Sequence, residues 1–520
     1  MRKTAGTGED WTAGYVVDVP YTAGYHRELS PSLQQYVLLQ QGITPPHEPD
    51  GGFDYFEMGI GRGFSLNVHA LTHPLGRFWG NDFNPEHVNF AQSLAAAGGA
   101  TIRLFEDSFE DLLKRDLPDF DYISLHGVWS WISHGNRRAV VEFLRRKLKV
   151  GGVAMVSYNA LPGLASAMPL RHLMSNHERH SRGSGAPLDG RISEALGFAQ
   201  TLRDGGAHYF RINANVSGLL TSLESQNPQY LAHEYFNRDW APMYFSEVAA
   251  CLTEAGLAFA GSVSPFGCLP ELALTPEMNS VVKGIESMEF REDVRDFMLN
   301  TKFRRDLFVR GARRLSVEEP LRRAGAMRFA LIDPPKSRGG TITVGMREIA
   351  LQKEIYEPLI AVLGGREGGL SVAELQSHDV TGKLPPGVLN QALSVLLGMD
   401  CVAIHSGDAG SLENVKSLNR YLADRAVEGS PVAHLVSASA GTAIRADRFE
   451  QLFLREAGRG ADAEQAAIAV SKILKSRGET IELDGWPLVE EADLLSELRD
   501  RAGFFYRERL PLFRKLAVGL

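Results

Sequence analysis

Residues 53 to 64 read FDYFEMGIGRGF, an apolar and aromatic run that reaches an acid at Glu57 and then turns through Gly59, Gly61 and Gly63. The pattern predicts a buried strand, a tight turn and the start of a helix. Glycines let backbone N–H groups approach a ligand with no Cβ in the way, and the helix start adds the positive end of its dipole. A dinucleotide fingerprint, G-x-G-x-x-G, needs its last glycine where Phe64 stands, so the match to a nicotinamide site is imperfect.

The chain then repeats strand and helix. RFWGNDFN, residues 77 to 84, predicts a second strand with Asp82 at its end, 19 positions past Gly63. A carboxylate there can accept two ribose O–H groups at once. Asn84 and Pro85 open a helix as N-cap and first-turn proline, and Gly98 and Gly99 close it. A third strand at 100 to 105 leads to EDSFEDL, where Ser108 and Asp111 make a capping-box-like start. FDYISL, residues 120 to 125, is a fourth strand running into HGVWSWIS, and a helix from Asn136 to Leu148 leads to a fifth, VAMVSYN. This alternation predicts an α/β fold with a parallel sheet.

Taken together, the acid before G-x-G-x-G, Asp82, the Asp107–Ser108 step and the paired glycines before strand five resemble class I S-adenosylmethionine (SAM) methyltransferases over residues 51 to 160. YFSEVAACLTEAGLAFAGSV, residues 244 to 263, resembles the late helix and sixth strand of that family. The resemblance implies a Rossmann-like sheet with SAM as cofactor. Glu57, Gly59, Gly61 and Gly63 would surround its methionine part, Asp82 its ribose, and Asp107 and Ser108 its adenine. His126, Trp129 and Trp131 would contact SAM or substrate, or else form a packed wall under a lid. Tyr158 and Asn159, at the end of strand five, lie where ligands bind in open α/β sheets. Tyr21 and Tyr25 would close over the cofactor, or simply anchor an N-terminal arm.

Further stretches narrow the resemblance. YVVDVPYTAGYHRELSP, LHGVWSWIS, YLAHEYFNRDWAPMYF and DFMLNTKFRRDLFVRG look like bacterial methyltransferases carrying a methyltransferase regulatory domain, some of which methylate lysines of outer-membrane proteins. The implied acceptor is a protein lysine, with a cell-envelope protein as partner and Trp129, Trp131, Tyr158 and Asn159 as catalytic candidates. A small molecule or cell-surface glycan stays open as acceptor, and a homodimer as assembly. Two other classes compete: a nicotinamide oxidoreductase, and a non-catalytic SAM-binding regulator that meets DNA.

A chain of 520 residues exceeds the ~250–300 at which one core usually divides. The expected division is an arm over the cofactor at 1–50, a methyltransferase core at 51–265 with a helical lid at about 162–230, a regulatory or connecting region at 266–340, and a mostly helical, winged-helix-like C-terminal region at 341–520. Residues 1 to 17 and the polar break at 179 to 190 read as mobile. A net charge of −8 disfavours nucleic acid as partner. Lys302, Arg304, Arg305, Arg310, Arg313 and Arg314, spaced as on a helix, read as a solvated face or a domain interface. Cys251, Cys268 and Cys401 have no metal-ligand spacing and one must stay unpaired, which points to a reducing cytoplasm without a metal. No apolar run approaches the ~18 residues needed to span a bilayer.

Overall fold

The computed structural model describes residues 24–48, 50–181, 187–226, 228–316, 319–334, 340–405, 407, 410–483 and 486–520. Tyr21, residues 1 to 17, the centre of the polar break (182–186) and the centre of the expected boundary at 331–341 (335–339) lie outside the described residues.

After α1 (Pro31–Gln40), the chain alternates through β1 (Phe53–Met58), α2 (Phe64–Thr72), β2 (Gly76–Asn81), α3 (Pro85–Gly98), β3 (Ile102–Phe105), α4 (Phe109–Leu112), β4 (Phe120–Leu125), α5 (His134–Lys147) and β5 (Leu148–Asn159). Every residue of β1 and β4 is buried. That is why these runs show no polar alternation: both faces of a parallel sheet are covered. Asn84 caps α3 by accepting the Glu86 N–H at 3.0 Å, and Gly99 closes it in the left-handed region. Helix α5 begins earlier than expected, at His134, because the Ser133 hydroxyl caps it by accepting the Asn136 N–H at 3.2 Å.

The expected lid is α6 (Met168–Ser181), α7 (Leu188–Asp204), α8 (His208–Ile212), α9 (Ala214–Glu224) and α10 (Pro228–Tyr235). It has an apolar cluster of its own, including Leu170, Ile192, Phe210 and Leu220. The chain returns to the sheet through α11 (Phe245–Thr253) and β6 (Leu257–Ser262), then passes α12 (Pro276–Lys283) and α13 (Met288–Leu299) to β7 (Phe303–Arg310). Sheet order is β3-β2-β1-β4-β5-β7-β6, with β7 antiparallel to both neighbours.

Strand β7 corrects two expectations. The sheet draws on residues beyond 265, where the core was expected to end. Half of the basic group read as a solvated helix face or a domain interface, Arg304, Arg305 and Arg310, lies in this interior strand. Strands covered on both faces carry no alternation to betray them, and the charged side chains of β7 are paired rather than solvated. Buried Arg304 binds Asp306, Asp296 and Glu292 at 2.6, 2.9 and 3.0 Å.

Downstream come α14 (Glu319–Gly325), β8 (Arg328–Leu331), the hairpin β9 (Thr341–Val344) and β10 (Arg347–Ala350), α15 (Lys353–Gly364), β11 (Leu370–Ser371), α16 (Val372–Ser377), α17 (Pro386–Gly398) and β12 (Val402–His405). A small antiparallel sheet is ordered β11-β8-β12. The expected helix, helix and strand are present, opened by a capping box between Ser371 and Glu374. Helix α17 is not free to enter a DNA groove, however. It packs on α1, where Tyr36 meets Ser394 at 2.8 Å and Asn390 at 3.2 Å, and Leu389, Leu393 and Leu396 are buried.

The remainder is α18 (Leu412–Val427), the hairpin β13 (His434–Ser437) and β14 (Thr442–Arg445), α19 (Arg448–Gly458), α20 (Ala463–Arg477), the hairpin β15 (Glu482–Leu483) and β16 (Trp486–Pro487), α21 (Glu491–Phe504), a π-helical turn at Phe505–Arg509 and α22 (Leu510–Lys515). Val415, Leu418 and Leu422 of α18 share one apolar cluster with Phe64, Val68 and Leu71 of α2 and Leu94 of α3. No helix among the described residues is long and apolar enough to cross a membrane.

Candidate cofactor site

A cavity of about 410 Å³ opens at the C-terminal ends of β1, β2 and β4, the edge where open α/β sheets bind ligands. The turn after β1 forms its floor, with Gly59, Gly61 and Gly63 at φ of 70°, 53° and 67°. They are glycines for different reasons. A Cβ on Gly59 would come 2.5 Å from Val128, and one on Gly63 would come 2.5 Å from Ala91, so these two let the turn pack closely. A Cβ on Gly61 would meet nothing within 4 Å and would intrude on the cavity itself.

Asp82 organises this turn from the end of β2. Its Oδ2 accepts the Gly61 N–H at 2.9 Å, and its Oδ1 accepts the Asn84 N–H at 3.0 Å and faces His87 Nδ1 at 3.2 Å. A carboxylate has about four acceptor positions, so it can still take hydroxyl donors from a ligand. Glu57 lies beside it, buried, and its Oε2 has no partner among the described residues. Burial, with the nearby Asp82 charge, pushes its pKa up to about 8. An orphaned carboxyl beside an open glycine cradle fits a ligand bearing a cationic group, as the amino group of an amino-acid cofactor would be.

Asp107 and Ser108 line the opposite end. The Asp107 carboxylate is paired with Arg115, and its carbonyl accepts from Asn81 Nδ2 at 3.0 Å. Ser108 caps α4 by accepting the Asp111 N–H at 3.1 Å. His126, just past the end of β4, also lines the cavity and stacks on His26, with ring centroids 3.9 Å apart. Glu28 Oε1 lies 2.8 Å from His126 Nε2 and 2.6 Å from Arg305 Nε. Burial works against the Glu28 charge, but the His126 hydrogen bond and the Arg305 guanidinium hold its carboxyl well below the usual range. Burial and His126 bring His26 down to about 3. His26, Glu28 and His126 bring ligand-type atoms within 4.8 Å of one another. Stacked rings aim their lone pairs side by side rather than at one point, and Arg305 already answers the carboxylate. The group is a charge network in its present geometry.

Several candidates fall elsewhere. Trp129 and Trp131 lie on one 3₁₀ turn, Trp129–Trp131, which sends them in different directions. Trp131 and Asp239 both line the cavity, and Asp239 lies 3.4 Å from Arg238. Its ring is 6.2 Å from that of Trp240, and the Arg171 guanidinium lies over both. Trp129 is fully buried in the apolar core. Tyr158 is also fully buried and donates its hydroxyl to Asp306 Oδ2 at 2.8 Å, joining the β7 ion network. Asn159 uses its backbone: its N–H donates to Ser130 Oγ at 2.8 Å and its carbonyl accepts from Met243 at 3.0 Å. Neither Tyr158 nor Asn159 lines the cavity, because β7 pairs along β5 to its last residue and takes up the strand end. Tyr25 turns away too, meeting Thr442 Oγ1 at 2.8 Å, while its neighbours Gly24 and His26 face the cavity. Sequence reasoning missed His26, Leu29 and Asp239. The signal for His26 was its place next to Tyr25 in an extended arm, and for Asp239 the charged break in NRDW.

Known proteins resemble this chain in parts and as a whole. Residues 56–152 match the family described as "Methyltransferase domain", and residues 227–310 match "Predicted methyltransferase regulatory domain". An uncharacterized protein of Synechocystis sp. is 38% identical over 512 residues, covering 98% of this chain and 99% of its own length. An uncharacterized protein of Rickettsia prowazekii is 25% identical over 299 residues, 56% of this chain and 51% of that one. The solved structure of PKMT2 from Rickettsia typhi in complex with AdoHcy aligns with a TM-score of 0.68 at 18% identity, covering 96% of this chain and 99% of that one. This last likeness concerns the fold, and it extends through the C-terminal region.

Proposed function

Because the chain belongs to the SAM-dependent methyltransferases built with a methyltransferase regulatory domain, we propose that this enzyme methylates the side-chain amine of a lysine in a polypeptide, with a cell-envelope protein as the first candidate. The observation that carries the reading is the corner where Trp131 and Asp239 enter the cofactor cavity beneath a helical lid with its own core. Aromatic faces attract an ammonium and tolerate its methylated forms, and a carboxylate adds a counter-charge. A small neutral acceptor would need neither.

When bound, SAM supplies a methyl group activated by a positive sulfonium, and the rest is asked of the protein. Glu57 and the Gly59–Gly63 turn would hold the methionine part, Asp82 the ribose, and Asp107 with Ser108 the adenine. Trp131 would hold the acceptor amine in line for displacement, where a well-oriented pair gains most of its advantage from position. An amine attacks only after losing its proton, which would pass to the Asp239 carboxylate or to water; the aromatic corner assists by stripping water, which lowers an ammonium pKa and offsets the opposing pull of that carboxylate.

Radiolabelled SAM incubated with the enzyme and envelope extract should place label in protein that survives acid hydrolysis as methylated lysine. Trp131→Ala should reduce that turnover by at least about tenfold while changing SAM affinity less than about threefold, since it acts on the acceptor side. Label confined to low-molecular-weight products would refute the polypeptide acceptor. Equal losses of turnover and SAM binding would refute the role of Trp131.

A further inference from the structure

Helix α6 of the lid sends one side chain to the aromatic corner of the cofactor site. The Arg171 guanidinium lies 4.7 Å from the ring centroid of Trp240 and 5.9 Å from that of Trp131. Trp131 lines the cavity whereas Arg171 and Trp240 do not, so the cation stands behind the ring rather than in the cavity. We propose that Arg171 is a positioning residue for proton loss, a fixed charge behind Trp131 that lowers the pKa of the acceptor amine and selects its neutral, attacking form. This role rests on the lysine reading above and adds to it a residue outside the cavity.

The charge is held in place and left without a counter-ion. Arg171 is 9% exposed, and its neighbours Leu170 and Met174 on α6 belong to the lid's own apolar cluster. Its Nη2 donates to the Asn237 carbonyl at 2.6 Å and its Nε to the Glu234 carbonyl at 3.4 Å. Both acceptors are backbone oxygens, and among the described residues Arg171 forms no ion pair. Buried cations are normally paired with an acid. Here two carbonyls and two aromatic faces hold the guanidinium instead, which stabilises it without cancelling its charge. Burial lowers its pKa to about 10, so it stays charged at neutral pH.

The groups around it leave the corner mainly cationic. Glu234 and Tyr235 of α10 face Arg171. Burial pushes the Glu234 carboxyl up to about 7 against the pull of Arg171, so near neutrality it is only partly ionised, and a tyrosine phenol is neutral there. Asp239 is shared between Arg238, at 3.4 Å, and the field of Arg137, which donates to the Trp129 carbonyl at 3.4 Å. An ammonium drawn in by Asp239 would then meet the charge of Arg171. Against the cavity side of Trp131 it would lie roughly 9–10 Å from the guanidinium, the 5.9 Å to the centroid plus one van der Waals contact. Through an effective dielectric of about 20–40, a like charge at that range lowers an ammonium pKa by about one unit. Neighbouring cations activate amines in this way. The ammonium gives its proton to Asp239 or to water and keeps the electron pair, which forms the new N–C bond as the sulfonium S–C bond breaks.

The test follows label from SAM into methyl-lysine, with the full-length enzyme and saturating solubilised envelope protein, in single turnovers so that product release does not mask the chemical step. At saturation the pH limb of the rate reports groups of the bound complex, the acceptor amine among them. In the parent enzyme that limb should lie below the ordinary lysine value of about 10.4. Arg171→Met should raise it by about one unit, so that the rate near pH 7 falls about tenfold and recovers at alkaline pH, with SAM affinity changed less than about twofold. Arg171→Lys loses the planar fork but keeps the charge, and should hold the limb within about 0.3 unit of the parent. Glu234→Gln disturbs the same packing without removing the cation, and should leave the limb in place or lower it. A parent limb at the ordinary lysine value, an unmoved limb in Arg171→Met, or an equal rise in Glu234→Gln overturns the role of Arg171 and leaves the lysine reading standing. Absence of methyl-lysine at every pH overturns the lysine reading and this role with it. Should Arg171→Met lose its cooperative melt, Arg171→Gln, which can still donate to the Asn237 carbonyl, carries the comparison.

Discussion

Glu57, one residue before the end of β1, has its Oε2 buried and without a partner among the described residues, and burial raises its pKa from 4.5 to about 8. Without ligand the group is therefore protonated at neutral pH. Its folded pKa exceeds its unfolded one, so between those values the unfolded state holds fewer protons, and the stability of the free enzyme falls as pH rises from 4.5 to about 8. On the proposed placement of SAM, binding would reverse the preference, because a cationic amino group beside Glu57 favours the carboxylate. Calorimetry at pH 7 in two buffers of different ionisation enthalpy should detect release of up to about one proton on binding, and affinity should rise with pH until about 8. Glu57→Gln should abolish both effects, and proton release that persists in that variant would exclude Glu57 as the source. At this scale the glycine turn and Asp82 are legible in sequence, because left-handed backbone and a strand-end acid leave distinctive letters. Trp129 and Trp131 are not separable that way. Two tryptophans on one 3₁₀ turn read alike, yet one enters the core and the other the cavity, and only the packing around them decides.

Among the elements, β7 shows how an ion network can take the place of an apolar strand interior. Arg304 is buried between Asp306, Asp296 and Glu292, and the Tyr158 hydroxyl completes the set. Removing one partner of a buried network leaves the others uncompensated. Arg304→Ala should therefore cost ~3–5 kcal/mol of stability in urea denaturation. A loss below about 1 kcal/mol, the range of a surface ion pair, would mean that the network is open to solvent. The five parallel strands could be read from sequence because glycines and caps punctuate each one. Strand β7 could not: its charges recur at a spacing that also fits a helix, and its partners Glu292 and Asp296 belong to α13, whose position over the sheet is a tertiary fact.

The whole molecule is less divisible than its sequence suggests. The C-terminal region has no ligand motif, and from composition alone it reads as a separate module. In the fold, Val415, Leu418 and Leu422 complete the apolar cluster begun by Phe64, Val68 and Leu71, and Phe64 opens the helix after the glycine turn. A fragment ending at residue 340 should therefore expose that cluster and aggregate or lose its cooperative melt, as light scattering and calorimetry would report. A soluble 1–340 fragment with parental SAM affinity would refute this dependence. The sheet order has a consequence for biosynthesis as well. Strand β5 leaves the ribosome with its outer edge bare, and its partner β7 begins only at Phe303, after the whole lid has been made. At ~5–20 residues per second the nascent chain waits roughly 7–30 s with that edge unpaired. An unpaired edge recruits other strands. Translation pauses placed inside the lid would lengthen this exposure, so cells short of chaperones should lose this enzyme to aggregation before β7 emerges rather than after.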